Sequence, residues 1–276
     1  MKTIYRVSDN GYKKPKLPGA DHFGCMNNFV ATFGFIDHVI FDNCSDLTVK
    51  KLSKFCRNQH RTALGNAGSF LYALDIALDQ DDEIVYMVED DYLHKPDSAH
   101  AISEGLSISD YVTLYDHPDK YGKMYGMGET CKLMRLNHRH WKTSVSTTMT
   151  FASRRETLRK DQHVFRDVCS GKFHPNDHEI FTNLGDMGRR LIVSIPGMSF
   201  HADISSQILN LDNSGGEIDV WAMRLMERRL ANNIYKTNDG DLVEKMEEAL
   251  NSSEGLPLLH RLEQIYDQRV RTSLED

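Results

Sequence analysis

No stretch of this 276-residue chain stays apolar for the roughly 18 residues that a membrane span requires, so no crossing segment is expected. The opening residues Met1–Arg6 lack the apolar segment of a secretory signal, and the expected location is the cytoplasm. Cysteine is scarce and scattered. The five thiols, at 25, 44, 56, 131 and 169, form no C-x-x-C pair, which argues against a zinc site or a disulfide framework and fits reduced thiols. Positive charge is also in deficit. A formal net charge of −7 argues against general nucleic-acid affinity, while a local basic face remains open. Repeats and low-complexity tracts are absent too. With 40% hydrophobic and 26% charged residues, the composition is that of a globular protein, one large domain or a domain with an appendage.

What is present is organised around Val85-Tyr86-Met87-Val88-Glu89-Asp90-Asp91-Tyr92. The apolar, β-branched run reads as a buried strand that ends in three consecutive carboxylates. Adjacent negative charges repel and lose hydration when covered, so a purely structural role for all three is disfavoured against a cation site. Hard Mg²⁺ or Mn²⁺ prefers such oxygen ligands, and the carboxyl end of a buried strand is where open α/β sheets bind ligands. The plainer alternative is a solvated turn with surplus charge.

Upstream, residues 3–9 and His38–Phe41 read as strands ending in polar groups. Phe23, Met26, Phe29, Val30 and Phe33 recur at helical spacing. Ser45 is the expected N-cap of a helix burying Leu52, Phe55 and Cys56, and Gly65–Ser69 opens a third helix. The order β-α-β-α-α-β predicts a doubly wound α/β sheet. Downstream, a helix from Pro96 to Leu106 is followed by strands at Tyr111–Tyr115, Ser146–Phe151 and Leu191–Ile195. Helices are expected over Arg154–Val168 and from Asn176, where Glu179 completes a capping box. The Gly-rich loop Tyr121–Gly128 is a candidate lid. Beyond about Asp203 three amphipathic helical patterns follow, giving an expected division into an α/β domain, 1–205, and a helical extension, 206–276. Those helices would pack on the domain or form a homodimer.

Arg135–Lys142 gathers positive charge around a Trp, with Arg154, Arg155, Arg159 and Lys160 nearby in sequence. Arg139, Trp141 and Lys142 could contact phosphates and stack on a base or sugar; a solvated basic edge is the alternative.

An acidic triplet closing a buried strand, after strands ending in Ser8-Asp9 and Asp42-Asn43, resembles the GT-A glycosyltransferases, whose D-x-D-like motif would here be Glu89-Asp90-Asp91. The resemblance covers about residues 1–205 and extends to the small enzymes of bacteria and tailed phages, some of which glycosylate a hydroxymethylated base in phage DNA. It implies a GT-A-like (Rossmann-like) mixed sheet flanked by helices, and a nucleoside-diphosphate sugar donor, expected to be UDP-linked. Arg6, Ser8, Asp9, Asp42, Asn43, Asn66, Gly68 and Asp90 would then face the nucleotide. Asp91 with Glu89, and His201 after the last strand, would hold Mn²⁺ or Mg²⁺. Asp177 at a helix start would be the base of an inverting enzyme, with Asp116 beside His117 and Glu129 as competitors. The helix dipole alone would also favour an Asp at that start. The acceptor would be a saccharide or modified DNA.

Three rivals remain. A sugar nucleotidyltransferase would carry a multi-glycine phosphate cradle, and only Gly11 with Pro15-Lys16 stands in its place. A metal nuclease would need a second acidic cluster. A non-catalytic nucleotide-sugar-binding protein would bind without turnover.

Overall fold

The computed structural model describes residues 1–10, 20–117, 130–137 and 139–202. Two compact units divide the chain. The first comprises Met1–Lys13, His22–Asp116 and Cys131–His201 and carries every element below; the second comprises Lys14–Asp21, His117–Thr130 and Ala202–Asp276. The expected lid, Glu129, the 205/206 boundary and the tail helices with their homodimer lie outside the described residues. Among the described residues no helix is long and apolar enough to cross a membrane.

The protein is α/β, built on a nine-stranded mixed sheet. One half is parallel: β1 (Lys2–Val7), β2 (Ile36–Asp42), β3 (Cys56–Thr62) and β4 (Ile84–Glu89) lie in the order β3-β2-β1-β4. Then come β9 (Phe151–Arg154), β6 (Tyr111–Thr113), β10 (Leu191–Ile195), β8 (Arg139–Thr143) and β7 (Leu133–Leu136). Among the described strands of this half, only β6 and β10 pair in parallel. A separate ribbon pairs β5 (Tyr92–His94) with β11 (Ser199–His201).

β1 shows why the parallel half reads as continuous apolar runs. Tyr5 and Val7 pack with Met26 and Phe29 of α1 (His22–Phe33), whereas Ile4 packs with Phe70 and Leu74 of α3 (Gly65–Leu78) on the opposite face. Both faces are covered, so alternation disappears. Each fully buried side chain of this size contributes about 1.5–3 kcal/mol. Below the antiparallel half, Tyr111, Phe151, Phe165 of α5 (Arg155–Cys169) and Phe181 of α6 (Asp177–Asp186) form one cluster of rings. On the other face α4 (Ser98–Leu106) lies close to the sheet because Gly105 has no side chain. A Cβ there would stand 2.7 Å from Val112 Cγ2 and 2.9 Å from Trp141 Cη2.

The sheet departs from expectation in three places. Cys56 is not helical. The helix α2 (Asp46–Leu52), capped by Ser45, ends in a 3₁₀ turn, and Cys56–Thr62 then forms the edge strand β3, which is polar because an edge faces water. The segment expected to be a basic face supplies instead β7 and β8, Leu133–Leu136 and Arg139–Thr143, which pair antiparallel. Residues 146–150 form a loop with left-handed Thr148 (φ 49°) and Met149 (φ 58°), so the strand starts only at Phe151.

Candidate active site at the β1–β4 junction

β1 has β2 on one side and β4 on the other, so the chain changes direction across the sheet at this junction, and the carboxyl ends of such strands form a ligand crevice. Register places Arg6 directly across from Glu89. Arg6 Nη2 hydrogen-bonds Glu89 Oε1, while Nη1 donates to the Asn66 carbonyl (2.9 Å), Asn66 Oδ1 (3.0 Å) and Ser69 Oγ (3.1 Å). The guanidinium also lies 5.5 Å from the Phe70 ring centre. Arg6 therefore ties β1, β4 and the start of α3 together. Burial pushes the Glu89 carboxyl upward, Arg6 opposes that shift, and Asp91 adds to it. With 24% of the Glu89 side chain open and Arg6 in contact, the ion-paired form is the one this geometry holds.

Asp90 turns toward β1, where its Oδ2 accepts from the Ser8 N–H at 3.2 Å and meets His22 Nδ1 at 2.6 Å. Asp9 completes the rim by accepting from the Ser45 N–H (2.7 Å) and the Thr48 hydroxyl (2.8 Å). Burial would raise the Asp9 carboxyl, but these donors win and hold it below the ordinary range.

Asp91 points elsewhere. The ribbon pairs His201 with Tyr92, and this brings His201 Nε2 within 3.2 Å of Asp91 Oδ2, although the two lie far apart in sequence. The His201 ring packs edgewise on Tyr92 at 5.0 Å, and the Tyr92 hydroxyl bonds Thr148 Oγ1. Among the described residues no three His, Cys, Asp or Glu side chains assemble as a group able to hold a metal. The Asp91–His201 pair nevertheless fits the partial donor set that divalent ions use when substrate phosphates complete their coordination. A nitrogen donor favours a transition ion such as Mn²⁺ over Mg²⁺.

The other expected residues separate into two groups. Asp177 stays near the crevice, but its Oδ2 is engaged by the Ser146 hydroxyl (2.6 Å) and the N–H groups of Thr147 (2.8 Å) and Thr148 (2.7 Å). These bonds hold the left-handed turn that presents Thr148 to Tyr92. Asp42 is 2% exposed and accepts from Thr62 Oγ1, Leu64 N, Gly65 N and Asn43 Nδ2, so it builds the turn into α3 instead of facing a nucleotide. Asn43 beside it is left-handed, and its N–H donates to the Thr62 carbonyl. With Gly65 N–H held by Asp42 and Ala67 N–H by Phe173 O, the α3 terminus is partly satisfied, contrary to the expected open anion site. A Cβ on Gly68 would lie 2.8 Å from Leu64 Cβ, which gives this glycine a packing role.

Asp116 is sealed with Lys142 at 2.8 Å, their side chains 0% and 5% exposed, and is withdrawn from the role of base. The acceptor face expected from Arg139, Trp141 and Lys142 is likewise corrected. Trp141 is fully buried, Lys142 is paired, and Arg139 is bound to Asp97 and to Glu104 (2.7 Å). Sequence reasoning missed His22, which reaches Asp90 and approaches Asp9 at 4.0 Å. Nothing in the spacing around Asp21-His22 pairs it with either carboxylate; only the position of α1 does.

No family model and no curated protein sequence matches the chain. Among solved structures it is similar to CMP:2-keto-3-deoxy-manno-octonic acid synthetase complexed with CTP, at 12% identity, covering 82% of this chain and 98% of that one, with a TM-score of 0.46. It is similar to a fragment of S. aureus TarS in complex with UDP, at 17% identity, covering 92% and 73%, with a TM-score of 0.44. A third is 4-diphosphocytidyl-2C-methyl-D-erythritolsynthase from Anaerococcus prevotii, at 12% identity, covering 77% and 93%, with a TM-score of 0.43.

Proposed function

We propose that this chain is a metal-dependent glycosyltransferase that moves a sugar from a nucleoside diphosphate, UDP in the first instance, to a hydroxyl acceptor. The observation that carries the reading is the Asp91–His201 contact of 3.2 Å at the carboxyl end of β4, beside the β1–β4 junction. A structural carboxylate triplet would be neutralised internally. Here Glu89 and Asp90 are engaged by Arg6 and by Ser8 with His22, while Asp91 meets a residue that is itself a metal ligand type.

In this reading Asp91 and His201 hold Mn²⁺ or Mg²⁺ together with the donor's phosphates. The chemistry such an ion supplies is charge balance for the nucleoside diphosphate as it leaves. The nucleoside occupies the rim formed by Ser8, Asp9, Asn43 and Asp90. Arg6 acts from behind by fixing Glu89 and Asn66. Asp177 holds the 146–148 turn through Oδ2, which leaves proton acceptance from the acceptor hydroxyl to its other oxygen. The acceptor is a saccharide or a hydroxymethylated base in DNA.

The test is a thermal-shift screen of nucleotide sugars with and without Mn²⁺, followed by product analysis, because a ligand that binds only the folded state raises its apparent stability. A Mn²⁺-dependent shift with one nucleotide sugar, and transfer of its sugar, is the expected result. A shift with a nucleoside triphosphate plus sugar phosphate, releasing pyrophosphate, would replace the reading with a nucleotidyltransferase. Binding without any turnover would leave a binding protein.

A further inference from the structure

The three consecutive acids at the end of β4 face three ways. Glu89 pairs with Arg6, Asp90 turns to Ser8 and His22, and Asp91 meets His201. A strand that simply continued would send Glu89 and Asp91 to one face and Asp90 to the other. β9 runs antiparallel beside β4, with Phe151 opposite Met87. Continued in that register, Thr150, Met149 and Thr148 would lie against Val88, Glu89 and Asp90. The ladder ends before this, where Thr148 and Met149 are left-handed.

For a β-branched residue such as Thr148 that conformation is an outlier, and neighbouring groups have to impose it. The imposing group is Asp177. Its Oδ2 accepts from the Ser146 hydroxyl (2.6 Å) and from the N–H groups of Thr147 (2.8 Å) and Thr148 (2.7 Å). Inside the turn, the Met149 N–H donates to Thr147 Oγ1 (3.1 Å) and the Thr150 N–H to the Thr147 carbonyl (3.2 Å). The helix dipole of α6 does not account for the bonds to Asp177. Asn176 already caps that helix by accepting the Glu179 N–H at 3.2 Å, and the Asp177 oxygen faces a different segment.

Wound in this way, the turn grips the acidic stretch at both ends. At one end the Glu89 N–H donates to the hydroxyl of fully buried Thr150 at 3.2 Å. At the other, the Thr148 hydroxyl gives its one proton to the Thr147 carbonyl (2.7 Å), so the hydroxyl of buried Tyr92 donates to Thr148 Oγ1. Asp90 and Asp91 lie between these two anchors. We propose that Asp177 is the positioning residue of the acidic strand end: through the 146–150 turn its Oδ2 fixes the backbone at Glu89 and the ring of Tyr92, and with them the directions of Asp90 and Asp91. The role deepens the glycosyltransferase reading, on which it rests for what that strand end does, and it is exerted before any proton moves.

The test is amide hydrogen exchange followed by NMR on the full chain without added metal, in the parent, Asp177→Asn, Asp177→Glu and Asp177→Ala. Asn keeps an oxygen where Oδ2 stands and loses the charge, whereas Glu keeps the charge that a helix start favours and displaces the oxygen. The Glu89 amide exchanges at least about tenfold faster in Asp177→Glu and Asp177→Ala, and within about threefold of the parent in Asp177→Asn, while the amides of Tyr5 and Val39 stay as they are. Asp177→Glu carries the comparison should Asp177→Ala not fold. A Glu89 amide as protected in the Glu and Ala variants as in the parent overturns the proposal. So does protection lost in Asp177→Asn and kept in Asp177→Glu, the order that charge at the helix start alone predicts. Equal acceleration at Tyr5 and Val39 overturns it too, because the loss would then belong to the whole fold.

Donor binding is read on the same proteins. Asp177→Asn keeps the Mn²⁺-dependent shift and the donor KM while losing kcat, and Asp177→Glu and Asp177→Ala lose the shift as well. If the parent shows no shift yet Glu89 protection follows the Asp177 oxygen, the glycosyltransferase reading fails and the positioning role stands. If the parent shifts and every variant keeps Glu89 protected, the reading stands and the role falls.

Discussion

Two acidic groups at strand ends, Asp116 and Asp91, both look like chemistry in the sequence, and the fold treats them in opposite ways. Asp116 is closed off with Lys142, a pair whose side chains are 0% and 5% exposed. Asp91 meets His201 in a pair whose side chains are 21% and 15% exposed. A buried ion pair gains Coulomb energy only by giving up hydration. A half-open carboxylate–imidazole pair keeps access to an incoming ligand. The difference lies in the neighbours: Lys142 is on β8 inside the antiparallel half, whereas His201 is on a two-stranded ribbon outside the main sheet. Charge identifies both acids, but only packing separates the enclosed one from the accessible one.

That contrast can be broken most severely from the sealed side. Lys142→Met removes the cation that faces the buried Asp116 carboxylate and should cost about 3–5 kcal/mol, whereas Lys142→Met/Asp116→Leu should recover most of it. Chemical denaturation of both variants checks this, and a single variant as stable as the parent would show the pair is not sealed. The next largest effect is a pH dependence carried by another sealed group. Burial pushes His94 down to about 3, with its Nε2 held at 2.7 Å by the Tyr86 hydroxyl. The unfolded chain takes up this proton near the ordinary value of 6.5. Between those values the unfolded state binds more protons, so His94's contribution is complete above about 6.5 and is lost as pH falls toward 3. His94→Gln should flatten the rise of the urea midpoint with pH across that window. The smallest stability effect belongs to the open pair. Asp91→Asn should change folding less than the Lys142 variant does, because Asn keeps the size and hydrogen-bonding capacity of Asp in a pair that is only partly enclosed. The same variant should abolish the Mn²⁺-dependent donor shift, and a retained shift would remove Asp91 from the metal site.

Much of the parallel half was legible because its signals are local. Apolar runs closed by polar residues mark β1, β2 and β4, and Asn176 caps α6 as its spacing with Glu179 implies, Oδ1 accepting from the Glu179 N–H. β10 spans Leu191–Ile195 as its apolar run predicts. Edge strands gave weaker signals. β3 has the sequence CRNQHRT, with little apolar side to bury, and the β7–β8 hairpin hides Trp141 among Arg135, Arg139 and Lys142, which dominate any reading by charge. The turn at 146–150 depends on a carboxylate thirty residues downstream, which no window over the turn contains. At the crevice, Asp91 announced itself through the strand that carries it. His201 was nominated through family resemblance, and the ribbon puts the two side chains in contact. His22 needed the fold.

The ribbon of β5 and β11 also sets an order of events. Its two strands lie on either side of the antiparallel half, so the Asp91–His201 contact closes a loop containing β6 through β10. A ribosome emitting this chain would expose the acidic strand end early, yet the imidazole that completes the pair would be the last part of the described domain to emerge. Until then the nascent protein lacks the His201 side of that contact. On the proposed metal reading, cation affinity would follow the emergence of β11, and a truncation just before Ser199 should leave Asp91 without its His201 contact while Glu89 and Asp90 keep Arg6, Ser8 and His22.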